Sequence, residues 1–218
     1  MDGRPFRDRA DAGRELARRL APAYAGRADV AVLGLARGGV PVAAEVAAQL
    51  GAPLDVFVVR KLGVEGHDEL AMGAIASGGV RVLNDSVIAG LHIGAAEIER
   101  VAAREEQELR RRTQRYRGDR PAPDLGGKVV IIVDDGLATG STMRAAVAAL
   151  RRLGPRRVVV AVPVGSAATC HELAAEADEV VCVRTPRTFT AVGQWYRDFA
   201  PTTDDQVADA VRSAPGVA

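Results

Sequence analysis

Two adjacent carboxylates, Asp134 and Asp135, follow the apolar run Val129-Val130-Ile131-Ile132-Val133 and precede Gly136-Leu137-Ala138-Thr139-Gly140-Ser141-Thr142. A β-branched run that ends in acids places them at the carboxyl end of a strand, where open α/β sheets bind ligands. Glycine in the following turn lets the backbone approach a ligand closely. Thr139, Ser141 and Thr142 add hydroxyls, and a helix start leaves N–H groups free, so the turn suits a phosphate. The acids cannot serve that same anion. They suit vicinal hydroxyls, whose hydrogen bonds they accept, or a magnesium ion, which they ligate directly or through water. The segment reads as a site with phosphate at one end and a sugar such as ribose at the other.

Two more segments carry glycines or cations at a strand's end. Val32-Leu33-Gly34-Leu35-Ala36-Arg37-Gly38-Gly39 is a strand, a short glycine turn and a helix start, with Arg37 as a charge-assisted donor. Alone, it also fits an ordinary turn in which glycine serves tightness. Val58-Val59-Arg60-Lys61 is a strand ending in two cations. Solvated charge is the plain alternative there, and it weighs more against Arg60 than against Lys61.

The elements that must position these residues follow from periodicity. Nearly continuous Val, Ile and Leu runs at 29–35, 54–60, 129–133, 157–164 and 179–183 predict strands buried on both faces. Ala-rich helical segments alternate with them, which predicts an α/β fold with a doubly wound, mainly parallel sheet. A helix over 41–50 starts with Pro41 and stops before Gly51. Met143, Val147 and Leu150 form one face of another. Segments 71–77 and 80–84 flank Gly78-Gly79 and predict a β-hairpin. Residues 97–117 predict a long, polar, weakly anchored helix carrying Glu106/Arg110 and Glu108/Arg112 pairs. The prolines and glycines of 119–127 predict a loop.

The segment 129–142 resembles the signature by which type I phosphoribosyltransferases bind 5-phosphoribosyl 1-pyrophosphate (PRPP). The resemblance implies that Asp134 and Asp135 hold the ribose 2- and 3-hydroxyls, with Mg2+ held directly or through water. Gly136, Leu137, Ala138, Thr139, Gly140, Ser141 and Thr142 would cradle the 5-phosphate. Residues 32–39 look like the family's pyrophosphate loop, so Arg37, Gly38 and Gly39, together with Arg60 and Lys61, would meet the leaving group. Lys61 joins the two acids as the expected catalytic set. The implied reaction displaces pyrophosphate, as its magnesium complex, through an oxocarbenium-like transition state, as in nucleotide salvage. The acceptor would be a small nitrogenous compound.

The family's base-binding hood would fall at about 184–200. Phe189 and Trp195 there could stack on a base, with Tyr196 beside them, although a lone Trp also fits core packing. Ala138 stands where hypoxanthine-guanine enzymes carry an Asp thought to act on purine N7. The stretch 137–140 is instead similar to adenine enzymes, but the rest of their adenine-binding pattern is missing, so the acceptor stays open. Glu69, expected in the loop after Lys61, is a candidate acid or metal-shell residue beside its plainer reading as a solvated loop Glu. Helix 97–117 lies where related enzymes carry a mobile lid; a fixed surface helix or a dimer contact are the alternatives.

Length and composition frame these expectations. The 218 residues suit a single domain, with an insertion at about 62–126. Lys and Arg total 29 against 28 for Asp and Glu, so net charge argues for neither nucleic acid nor an anionic membrane. No apolar run reaches the ~20 residues of a membrane helix, and the charged start argues against a secretory signal. The cytoplasm is the expected compartment, and a homodimer is an open expectation. Cys170 and Cys182 lack metal or disulfide spacing and read as free thiols. Two other classes remain: a PRPP-sensing regulator of the same fold, which binds without turnover, and a Rossmann-like nucleotide-binding domain, which the missing GxGxxG disfavours.

Overall fold

A computed structural model describes residues 4–215, apart from the side chains of 67–69. Helix α1 (Arg9–Tyr24) opens the chain, its first turn capped by Asp8, whose carboxylate accepts from the Asp11 N–H at 2.7 Å. Strand β1 (Val30–Leu35), helix α2 (Gly39–Leu50) and strand β2 (Leu54–Phe57) follow. Next come the antiparallel strands β3 (Val59–Val64), β4 (His67–Ala76) and β5 (Val80–Leu83), then helices α3 (Asp85–Gly90) and α4 (Ala95–Arg117). The second half alternates β6 (Val129–Val133), α5 (Ser141–Arg151), β7 (Arg157–Val164), α6 (Ala167–Leu173) and β8 (Glu179–Arg184). A 3-10 turn, Val192–Trp195, and helix α7 (Asp204–Ser213) close it. No helix among the described residues is long and apolar enough to cross a membrane.

Five strands form a parallel sheet in the order β2-β1-β6-β7-β8. The chain winds outward from β1 to β2, then returns to the other side of β1 with β6. The doubly wound expectation holds, and the switch point lies between β1 and β6, where such sheets open a crevice at their carboxyl edge. Period-two alternation sends Val129, Ile131 and Val133 of β6 against α1 and α2, while Val130 and Ile132 face α5. Each such fully buried side chain contributes about 1.5–3 kcal/mol.

The strand expected over 54–60 is two strands in two sheets. Ser77 breaks it: its Oγ accepts from the Val58 N–H at 3.0 Å, and its own N–H donates to the Val58 carbonyl at 2.9 Å. Both backbone groups of Val58 are therefore satisfied outside the parallel ladder, and Val59 begins the sheet β3-β4-β5. The expected hairpin is present, with Gly78 and Gly79 at φ 87° and 74°, as a two-residue turn of positive φ requires.

Helix α4 corrects the expectation of weak anchoring. Ile98, Val101, Ala102, Leu109 and Tyr116 are buried with residues of β3, β4 and α7. Arg117 forms a buried ion pair with Asp55 at 3.1 Å, and the Tyr116 hydroxyl donates to Asp204 at 2.7 Å.

Candidate functional site

The site is built at the carboxyl ends of β1 and β6. Asp134 and Asp135 leave β6 partly buried, and Asp134 Oδ1 accepts from the Asp135 N–H at 2.9 Å. On the β1 side, Gly38 and Gly39 lie directly against them. A Cβ on Gly39 would sit 2.8 Å from Asp134 Cα, and one on Gly38 would overlap the Asp135 carboxylate. Only glycine permits this approach. The Ala36–Arg37 peptide just before it is cis. The two motifs, about a hundred residues apart in sequence, thus form one surface.

Two helices begin at that surface. Gly38 precedes α2 and Gly140 precedes α5, and neither cap provides a side-chain hydrogen bond to its helix start. Their first N–H groups and dipole ends suit anions. Gly140 has φ 73°, and two residues before it the carbonyl of Ala138 accepts from Thr169 Oγ1 at 2.7 Å. Thr139 Oγ1 and Ser141 Oγ lie exposed, 3.3 Å apart. Leu137 is buried and bridges to Gly165, which anchors the turn from beneath.

The carboxylates are held against the preference of their surroundings. Burial, reinforced by the neighbouring Asp135 carboxylate, pushes the Asp134 pKa well above the ordinary range. Burial also raises Asp135, opposed by Arg9, whose Nε donates to Asp135 Oδ2 at 2.9 Å. A cation beside the pair would favour the ionised forms. Among the described residues no three His, Cys, Asp or Glu side chains gather as a metal site. The pair does fit Mg2+, which takes one or two carboxylates and completes its shell with phosphate oxygens and water.

The expected pyrophosphate cations diverge. Arg60 is committed to Glu105 of α4 at 2.6 Å, and Lys61, next along β3, points to the opposite face. There Lys61 lines a cavity of about 520 Å³ with Ser141 and Arg144 of α5 and with Asn84 and Asp85. Arg37 is half exposed, its guanidinium 3.7 Å from Asp204 of α7. Glu69 lies on β4 rather than in a loop, and its side chain is outside the described residues.

Segment 189–199 folds over the acids. Phe189, Val192, Trp195 and Phe199 pack with Phe6 and Tyr196, and Gly136 lies against Val192. Phe189 and Trp195 thus spend much of their surface on packing, and Trp195 Nε1 is buried with no partner among the described residues. The Tyr196 hydroxyl donates to the Asp135 carbonyl at 2.5 Å, and burial pushes its pKa up. Cys170 and Cys182 are half-buried free thiols. Another cavity, of about 670 Å³, lies at the opposite edge of the sheet, between Tyr24, Arg27, Arg157 and Glu179, far from the acids.

Arg9, Thr169 and Tyr196 are the participants that motif reading does not assign. Arg9 and Thr169 act across 126 and 31 residues, so no local spacing marks them. The aromatic density of 189–199 is the one signal that reaches Tyr196.

Fold and site define a doubly wound α/β protein whose switch point brings two helix starts and a carboxylate pair together. Residues 7–198 match the family model described as the phosphoribosyl transferase domain, and the chain belongs to that family. It is similar to a Mycobacterium tuberculosis (strain CDC 1551 / Oshkosh) protein named "Putative phosphoribosyl transferase", with 54% identity over 202 residues. That match covers 93% of this chain and 45% of the relative, so the chain spans less than half of the relative's length. The crystal structure of TT1426 from Thermus thermophilus superposes with a TM-score of 0.86 at 46% identity, covering 97% of this chain and 100% of that one.

Proposed function

We propose that this chain transfers the 5-phosphoribosyl group from PRPP to a nitrogen acceptor, a nucleobase being the simplest, and releases pyrophosphate. The observation that carries the reading is the contact of Gly38 and Gly39 with Asp134 and Asp135, which sets a carboxylate pair between two glycine-led helix starts. PRPP has the matching sequence of groups: a 5-phosphate, two ribose hydroxyls and a pyrophosphate. In this reading the N–H groups at the start of α5, with Thr139, Ser141 and Thr142, hold the 5-phosphate. Asp134 and Asp135 accept from the ribose hydroxyls, and the turn Arg37-Gly38-Gly39 faces the pyrophosphate.

The reaction breaks the bond from C1 to the pyrophosphate oxygen, which keeps the electron pair, and forms a bond from C1 to the acceptor nitrogen, whose N–H proton, where it carries one, is released to solvent. Asp134 and Asp135 orient the sugar and offset the positive charge that develops at C1. Arg37, within the turn, and Lys61, from the cavity it lines with Ser141 and Arg144, offset the charge of the leaving group. Arg60, paired with Glu105, acts in fixing β3 to α4. Mg2+, held by Asp134 and Asp135 directly or through water, would neutralise phosphate charge. Val192, which lies against Gly136, and Phe189 and Trp195 of the same segment are the side chains we assign to contact a base.

The test is pyrophosphate release from PRPP and magnesium across a panel of purines, pyrimidines and other nitrogen compounds. Release with one acceptor, abolished in a folded Asp134→Asn/Asp135→Asn protein, supports the reading. PRPP binding without release for any acceptor would make the chain a sensor. A double variant as active as the wild type would remove the acids from the site.

A further inference from the structure

We propose that Arg9 is the positioning residue of the ribose end: it fixes the Asp135 carboxylate in the plane that a sugar hydroxyl meets and ties it to the segment folded above. The inference rests on the reading of Asp134 and Asp135 as the ribose-holding pair.

Arg9 stands in the first turn of α1 and is held on three sides. Its Nε donates to Asp135 Oδ2 at 2.9 Å, its Nη1 donates to the Ala200 carbonyl at 2.7 Å, and its guanidinium lies over the Phe199 ring, 4.1 Å from the centroid. The side chains of Arg9 and Asp135 are 12% and 15% exposed. A planar guanidinium fixed by two donors and a stacked ring cannot turn without losing all three contacts. The carboxylate it grips is fixed with it, because Oδ2 is engaged by the guanidinium.

The main chain of Asp135 is held as well. Tyr196 donates to its carbonyl from the same segment that supplies Phe199 and Ala200. Asp135 is therefore clasped by the overlying segment at its backbone and, through Arg9, at its side chain. Gly38 closes the third side: a Cβ there would overlap the carboxylate and lie 3.5 Å from Arg9 Nε. Among the described residues no other cation forms an ion pair with Asp134 or Asp135. Arg9 thus has no understudy.

A residue that positions the ribose acid should affect ligands that carry ribose and spare those that do not. Losing a charge-assisted hydrogen bond at a partly buried carboxylate corresponds to about a ten- to hundredfold loss in affinity. Calorimetric titration of the full chain with ribose 5-phosphate, and separately with inorganic pyrophosphate, measures both arms. Arg9→Gln is expected to weaken ribose 5-phosphate by that factor and to change pyrophosphate by less than about twofold. Arg9→Lys keeps a cation but not the fork, so it should recover part of the loss. Phe199→Leu leaves the ion pair in place and removes only the stacked ring, so a smaller loss in the same direction is expected.

Thermal unfolding of each variant identifies any that fails to fold, and Arg9→Lys and Phe199→Leu then carry the test. Equal weakening of both ligands would make Arg9 a general anion donor or a scaffold residue and overturn the proposal. Ribose 5-phosphate binding at wild-type strength in Arg9→Gln and Arg9→Lys would overturn it too. A wild-type protein that binds pyrophosphate but not ribose 5-phosphate would instead refute the ribose reading of the acids, a failure visible before any variant is made.

Discussion

Replacing Gly140 with Ala should cost stability in two separable parts, each with its own structural cause. The first is conformational: Gly140 has φ 73°, and an L-residue in that left-handed region costs about 1–2 kcal/mol. The second is steric, because the new Cβ would lie 2.6 Å from Thr169 Cγ2, well inside van der Waals contact. Thr169 cannot rotate away freely, since its Oγ1 donates to the Ala138 carbonyl at 2.7 Å and that bond contributes about 1 kcal/mol. The sum is about 2–3 kcal/mol. Thr169→Ser deletes the methyl and keeps the hydroxyl, so in that background Gly140→Ala should cost only the conformational part. Urea denaturation of the four proteins forms a double-mutant cycle with an expected coupling of about 1 kcal/mol. PRPP titration should show the same order of effect, because the displaced turn is the proposed phosphate cradle. Equal cost in both backgrounds would refute the contact, and no cost at all would refute the left-handed turn.

Asp134 yields a pH prediction whose sign follows from its raised pKa. The folded state holds this proton more tightly than the unfolded chain does, so the stabilisation is full below the ordinary carboxylate value of 3.8 and is lost as pH rises through the folded pKa. Asp134→Asn cannot ionise, so without ligand or metal it should be more stable than wild type near about pH 8 and converge with it towards about pH 4 in urea denaturation; a gap that does not vary with pH would contradict the burial argument. For α4, hydrogen exchange around Tyr116 and Arg117 should already be slow without ligand and unchanged by PRPP with magnesium, since both are buried and tied to Asp204 and Asp55. Fast exchange that slows on adding PRPP would restore the lid reading of this helix.

What could be read from the residues and what could not divides along sequence separation. The strands at 129–133 and 157–164 are legible to the residue, because strands covered on both faces leave no polar alternation to blur their ends. The acids and the glycine-hydroxyl turn are legible for the same reason: they begin where the apolar run stops. The break at Val58 is not, since the run stays apolar through Val59 and the interruption comes from Ser77, which pairs with it from β4's end. Helix α1 hides its apolar face, Ala12, Leu16, Leu20 and Tyr24, among many charges, and its Pro22 reads as a break. Helix α7 is short, and its capping box at Thr203 and Gln206 signals only a start.

The site divides in the same way, and the division has a physical meaning. Local motifs supply groups with the right chemistry, but a carboxylate pair that burial disfavours must be stabilised by partners, and those partners come from elsewhere in the fold. Arg9 is one of 29 cations, with nothing beside it in sequence to single it out. Gly38 and Gly39 look like an ordinary tight turn until Asp134 and Asp135 are placed against them. The switch point of the sheet explains why they meet: β1 and β6 are adjacent and parallel, so the residues that follow each strand must emerge side by side. A glycine turn after β1 and an acid pair after β6 therefore come together only in this strand order, and the proposed chemistry depends on the topology as much as on the residues.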